Sequence, residues 1–252
     1  MIRLKNTKDI SELRISGKIL SSLLKILRKK AQVGVSLKEL DSMAYDFIYE
    51  AGGEPAFLGY HPEGSIGKFP GSICVSVNDV IVHGIPTRYR LKEGDIVSLD
   101  AGVRYNGYYT DSAITVGIGK ISKEGERLIK ITKIALERGI RECMPGNTLG
   151  DIGYAIHHTV KKAGFHVVRG LTGHGVGFEI HEDPVVNNYG KRGEGMKLEP
   201  GLVIAIEPMV STKSPHIVQR DDDSFRTHDG SIAAHFEHTV LITETGVEIL
   251  TL

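Results

Sequence analysis

Apolar residues recur at three- and four-residue spacing in four stretches, and each predicts an amphipathic helix. In the first, Ile10, Leu13, Leu20, Leu23, Leu24 and Leu27 predict a helix from about Thr7 to Lys30. The second opens at the capping box Ser36-Leu-Lys-Glu39, shows Leu37, Leu40, Ala44, Phe47 and Ile48 on one face, and stops at Gly52-Gly53. A third follows Ser122 and ends before Pro145-Gly146. The fourth starts after Thr148, buries Ile152, Ala155, Ile156, Thr159 and Val160, and stops at Gly164. Strand-rich stretches run over 72–82, 95–116, 167–171, 202–210 and 233–250. Helices and strands come in blocks with frequent hairpins, which predicts an α+β fold around a curved, mostly antiparallel sheet. The polar segment 211–231 reads as a long loop, with Asp221-Asp222-Asp223 as a solvated tip rather than a metal site.

Shifting the second helix by 112 residues lays it on the fourth. Gly34 falls on Gly146, Ser36 on Thr148, Leu37 on Leu149, Leu40 on Ile152, Ile48 on Val160, Ala51 on Ala163 and Gly52 on Gly164. Capped amphipathic helices share some of this grammar, yet each matched helix is the second of a pair and precedes strands. A duplication is the favoured reading: one domain over 1–252 whose halves, about 1–118 and 119–252, face each other across a cleft.

The hairpin Ser98–Thr115 carries the chemistry. Asn106-Gly107 is the strongest short signal for a two-residue type I′ turn. Cross-strand partners then place Asp100 opposite Ala113 and Asp111 opposite Gly102, so both aspartates share one face as diagonal neighbours. Two carboxylates converging in a dry setting repel unless a cation lies between them, and small Gly102 and Ala113 leave room for one. A solvated hairpin with a polar outer face is the alternative.

Composition narrows the setting. The 252 residues are 40% hydrophobic, enough for a real core, and 31 basic residues balance 31 acidic ones, so no nucleic-acid binding is expected. Neither an apolar run of about 18 residues nor a signal-peptide core is present, and a cytoplasmic location is expected. The only cysteines, Cys74 and Cys143, support neither a disulfide framework nor a thiolate zinc site.

Further ligands for a cation stand at strand ends in the second half: His174 among glycines, Glu207 interrupting an apolar strand, and Glu237 entering the last one. Burying such carboxylates unpaired would cost several kcal/mol each. Together Asp100, Asp111, His174, Glu207 and Glu237 are too acidic for one divalent ion. Two suit them, one beside Asp100 and one beside His174, with Asp111 and Glu237 shared. Paired ions about 3.5–4 Å apart activate water and polarise a carbonyl oxygen, which points to amide hydrolysis.

Five ordered motifs carry a resemblance over nearly the whole chain: Ile81-Val-His-Gly-Ile-Pro86, Leu99-Asp-Ala-Gly102 with Thr110-Asp111, Thr172-Gly-His-Gly-Val-Gly177, Ile206-Glu-Pro-Met209 and Phe236-Glu-His238. The sequence resembles the type I methionine aminopeptidases, metallopeptidases of the duplicated pita-bread fold. That resemblance implies removal of N-terminal methionine from peptides and nascent chains with a small second residue; bulky Ile2 would protect the chain's own Met1. It implies two divalent ions (cobalt, manganese, iron or zinc) on the same five residues. It further implies substrate contact by His83, stabilisation of the tetrahedral intermediate by His181, and Glu207 as general base. A monomer, free of membrane and met by nascent chains at the ribosome, completes the expectation.

Phe57, Tyr60, Phe69, Cys74 and Ile180 are candidates for the methionine pocket, with ordinary core packing as the alternative for each. Three features depart from the family. The run 61–69 is longer than usual, Ile180 replaces a common aromatic, and no tryptophan covers the pocket. The rival readings are a proline dipeptidase or X-Pro aminopeptidase, whose relatives usually carry a further N-terminal domain, and a metal-free binding protein, expected to have lost ligands.

Overall fold

The computed structural model describes residues 2–62 and 64–252. Met1, which Ile2 is expected to protect, and Glu63 of the 61–69 run lie outside them. The four helices are α1 (Thr7–Lys30), α2 (Leu37–Glu50), α3 (Lys123–Arg141) and α4 (Leu149–Lys162). Their starts follow from capping of free N–H groups. Ser36 Oγ accepts from Glu39 N at 3.2 Å while Glu39 Oε2 accepts from Ser36 N at 2.7 Å, the reciprocal box expected. A Ser36→Ala change should therefore lower stability by about 1 kcal/mol. An unmoved urea midpoint would contradict it.

The 112-residue offset extends beyond the helices. Gly52 and Gly164 end α2 and α4 with φ of +79° and +78°, a conformation that side chains rarely adopt. Gly34 N donates to Leu91 O, and Gly146 N to Leu198 O, at 2.8 and 2.9 Å. Leu37 N and Leu149 N bond Tyr89 O and Met196 O, both at 3.0 Å.

The first half supplies strands β1 (Glu54–Pro55), β2 (Ile73–Val77), β3 (Val80–Val82), β4 (Ile96–Tyr105) and β5 (Tyr108–Gly117). The second supplies β6 (His166–Val167), β7 (Gly173–Gly175), β8 (Glu182–Val186), β9 (Val203–Ile206), β10 (Met209–Ser211), β11 (Ile217–Gln219), β12 (Phe225–Thr227), β13 (Ala233–His235), β14 (Glu237–Ile242) and β15 (Val247–Ile249). Among the described residues they form one nine-stranded sheet, whose central order is β1-β4-β5-β14-β9-β7-β8, and two three-stranded sheets. All pairings are antiparallel. Leu20, Leu23, Leu40 and Ile48 of α1 and α2 pack with Ile73, Val97 and Leu99 of the sheet. On the other half, Leu136, Ile152 and Ile156 of α3 and α4 pack with Ile204, Ile206 and Val240. The helices thus cover one face and leave the other to the cleft.

Four expectations are corrected. The stretch 211–231 is not a loop: β11 and β12 form a hairpin, and β12 pairs with β3. Its half-exposed residues lack the alternation that marks a strand in sequence. The expected strand 202–210 breaks at Glu207-Pro208 into β9 and β10, which belong to different sheets, because proline offers the ladder no N–H. The last stretch likewise changes sheet at Phe236. The strand expected over 167–171 shrinks to His166–Val167, since Gly170 turns the chain at φ +89°.

Candidate metal centre

The β4–β5 hairpin turns as its sequence requires, with φ of +48° at Asn106 and +86° at Gly107. Its register places Asp100 opposite Ala113 and Gly102 opposite Asp111, so both carboxylates lie on one face. The space beside Gly102 is not left for an ion. A Cβ there would lie 2.9–3.0 Å from Ala56, Ile180 and Phe57, so this glycine admits the apolar wall.

The halves join where β5 meets β14, and three hydroxyls fix the backbone there. Thr239 Oγ1 accepts from Asp111 N at 2.9 Å and donates to Asp111 O at 2.8 Å. Ser112 Oγ donates to Glu237 O at 2.7 Å. Thr115 Oγ1 accepts from His235 N at 2.9 Å and donates to His235 O at 2.6 Å. The side chains of Asp111 and Glu237 remain free to line the cavity, and that of His235 lies buried behind Glu207 and Glu237.

His174 comes in on β7. Its Nδ1–H donates to Gly175 O at 2.9 Å, which leaves the Nε2 lone pair for the centre. That nitrogen lies 3.4 Å from Glu207 Oε1, 3.9 Å from Asp111 Oδ2 and 3.9 Å from Glu237 Oε1. Ligand atoms of Asp100, Asp111 and Glu237 all fall within 4.8 Å of one another, as do those of His174, Glu207 and Glu237. Asp111, His174 and His181 make a third such group. All five predicted ligands are therefore brought together, with Asp111, His174 and Glu237 each in two groups.

Electrostatics say what the centre lacks. Burial raises Asp100 and Glu207 to about 7 and pushes Asp111 and Glu237 well above the carboxylate range, where neighbouring acids add to the effect. Among the described residues no lysine or arginine pairs with any of the four. Asp100 Oδ1, Asp111 Oδ1 and Glu237 Oε1 have no hydrogen-bond partner among the described residues. Buried acceptor oxygens converging with an imidazole lone pair are the donor set of divalent cations, and the residues present fit them.

A cavity of about 570 Å³ rises above these carboxylates, walled by Phe57, Tyr60, Phe69 and Cys74. His83 lines it from a non-glycine φ of +58°, its ring centroid 5.6 Å from Phe225. Such a backbone conformation is costly and is often retained for function. His181 Nδ1 lies 2.8 Å from Tyr60 Oη, and its ring centroid is 4.4 Å from that of His174. Ile180 is placed differently from the expectation. It packs with Phe57 and Cys74 without reaching the cavity. The acidic triplet is the solvated tip expected: Asp221, Asp222 and Asp223 form the turn between β11 and β12, with Asp221 and Asp222 exposed. It also lines the cavity, and Asp223 Oδ2 accepts from Ile66 N at 2.8 Å. Ile66 of the 61–69 run thereby reaches the hairpin, and Ser65, Ile66, Lys68 and Phe69 line the cavity in a chain without tryptophan.

One buried residue at the centre was not legible as functional: His235, facing Glu207 and Glu237. Its signal was the two-residue spacing to Glu237, which places both on one side of an extended chain.

A family model described as metallopeptidase family M24 matches residues 11–244. The chain belongs to this family. A methionine aminopeptidase of Clostridium acetobutylicum is 46% identical, covering 100% of this chain and 99% of the relative. Methionine aminopeptidase 1 of Bacillus subtilis is 44% identical with the same coverage. The crystal structure of methionine aminopeptidase from Thermotoga maritima superposes with a TM-score of 0.95 at 42% identity, covering 100% of this chain and 99% of that one. Prolidase from Pyrococcus furiosus, at 22% identity and a TM-score of 0.79, covers 99% of this chain and 65% of that one; it shares the fold alone. M24 membership makes the chain a metallopeptidase, on the expected pita-bread fold. Among the described residues no helix is long and apolar enough to cross a membrane.

Proposed function

We infer that the chain hydrolyses the first peptide bond of proteins and peptides that begin with methionine. The observation that carries this reading is the convergence of four buried carboxylates and His174 beneath an apolar cavity, in a chain related end to end to methionine aminopeptidases. Asp100, Asp111 and Glu237 would hold one divalent ion, and His174, Glu207, Asp111 and Glu237 a second. When bound, such ions supply Lewis acidity and lower the pKa of water. Four carboxylates with a single imidazole do not select among manganese, iron, cobalt and zinc.

The side chains divide the remaining work. Phe57, Tyr60, Phe69 and Cys74 enclose the methionine side chain, and Ile180 and Ala56, packed against them, limit what can enter. Glu207 accepts a proton from the attacking water and returns it to the leaving amine. His83 and His181 donate to substrate oxygens as negative charge develops, with the Tyr60 hydroxyl holding the His181 ring. A small second residue, nascent chains met at the ribosome, a cytoplasmic setting and a monomeric state belong to the same reading. The hydrogen bonds repeated at the 112-residue offset support duplicated halves, 1–118 and 119–252, within one domain.

Chelation followed by readdition of single metals tests it. Turnover of Met-Ala-Ser should vanish with chelator and return with a divalent ion, reaching a maximum at two equivalents per chain. Met-Pro and Ala-Pro should remain poor substrates. Preferential cleavage of Ala-Pro would favour the prolidase reading, and a chain that binds no metal would favour a binding protein.

A further inference from the structure

Glu207 and Glu237 stand between two imidazoles. His174 Nε2 is 3.4 Å from Oε1 of Glu207 and 3.9 Å from Oε1 of Glu237. His235 Nε2 is 3.5 Å from Oε2 of Glu207 and 3.8 Å from Oε2 of Glu237. The two rings therefore address opposite oxygens of the same carboxylate pair. His235 is 1% exposed, and neither of its ring nitrogens has a hydrogen-bond partner among the described residues.

A buried polar ring without partners costs about 1–3 kcal/mol, so a purely structural role would be better served by an apolar side chain. The fold nevertheless fixes the backbone that carries this ring. Thr115 Oγ1 clamps His235 N and O, and Ser98 Oγ lies 2.9 Å behind that hydroxyl. Phe236 marks the point where the chain leaves one sheet for another, so His235 and Glu237 are presented to the centre by different sheets.

We propose that His235 is a positioning residue of the metal centre, whose Nε2–H donates to the outer oxygens of Glu207 and Glu237 and fixes the orientation in which those carboxylates receive divalent ions. This role rests on the metal-dependent reading above. A neutral imidazole carries one N–H, and carboxylate oxygens can only accept, so the proton belongs on Nε2. Contacts of 3.5 and 3.8 Å are loose for hydrogen bonds, and such contacts tighten when an active site fills. Outer-shell partners of metal ligands typically contribute about 10–100-fold in metal affinity.

Calorimetric titration of Mn²⁺ into chelator-stripped protein tests the role in wild type, His235→Leu and His235→Gln. The leucine variant should bind Mn²⁺ about 10–100-fold more weakly. Its metal-free melting temperature should be unchanged or raised, because an unpartnered polar ring has been replaced by an apolar group. Glutamine keeps an N–H donor on a side chain of comparable reach and should retain most of the affinity. Wild-type affinity in His235→Leu, equal losses in the two variants, or a lowered metal-free melting temperature in both would overturn the proposal. Should the leucine variant not fold, the comparison passes to His235→Gln and His235→Asn, the shorter amide binding more weakly if the role is correct; equal affinities overturn it. Absence of metal uptake by the wild-type chain would overturn the metallopeptidase reading and this role with it. Wild-type uptake with unaffected variants removes this role alone.

Discussion

An Asp111→Asn variant is expected to lose nearly all turnover of Met-Ala-Ser while keeping its fold. Asp111 belongs both to the group with Asp100 and Glu237 and to the group with His174 and His181, so loss of its charge weakens both halves of the centre. The contacts that hold the residue in place are made by its backbone, to Thr239 Oγ1, and asparagine preserves them. Asparagine is also nearly isosteric, so the β4–β5 pairing has no reason to shift. A fall in kcat/KM of about 10³–10⁴, equivalent to about 4–5.5 kcal/mol of transition-state stabilisation, is the scale expected from loss of a ligand on this chemistry. Stability should move the other way. Without metal, the charged form of Asp111 is penalised first by burial and then by Asp100 and Glu207, and a neutral amide removes that penalty. Melting of the metal-free variant should match or exceed wild type, and near-normal turnover would remove Asp111 from the centre.

How much of this could be read beforehand depends on whether the cause was local. Asn106-Gly107 determines its own turn, and the turn determines the register, so the shared face of Asp100 and Asp111 was legible from two residues. Ser36 with Glu39 and the glycines at 52 and 164 mark helix ends by equally local chemistry. The switch of sheets at Glu207-Pro208 and at Phe236 was not legible, because an apolar run reads as one strand until the partner strands are known. The β11–β12 hairpin escaped for the same reason: its pairing with β3 is non-local, and its outward residues are polar. Ile180 sat beside a motif in sequence but turned into the wall behind Phe57. The positions of the five predicted ligands followed from motifs, whereas His235, two residues before Glu237, gained meaning only when Glu207 was seen opposite it.

A Gly175→Ala variant should suffer the largest loss of stability from the smallest change. Gly175 sits in β7 between Glu182 of β8 and Ile204 of β9. A Cβ at this position would lie 2.0 Å from Asp183 O, 2.5 Å from its carbonyl carbon and 2.9 Å from Glu182 O. These are backbone atoms, so no rotamer change can make room, and β8 must move away from β7. Overpacking typically costs 1–3 kcal/mol, and a clash with fixed main chain should cost about 3 kcal/mol or more. Activity should fall with it, since β8 begins directly after His181, and Glu182 both pairs with Lys5 and accepts from Phe178 N at 3.2 Å. Displacing β8 also disturbs the Gly175 carbonyl that orients His174. Gly164→Ala supplies the comparison: φ is +78° there, but nothing lies within 4 Å of the added carbon. Left-handed strain alone should cost about 1–2 kcal/mol and leave kcat/KM unchanged. Urea unfolding of both variants, with turnover measured in parallel, separates crowding from strain; equal destabilisation in the two would mean that β8 yields easily and that His174 does not depend on its close approach.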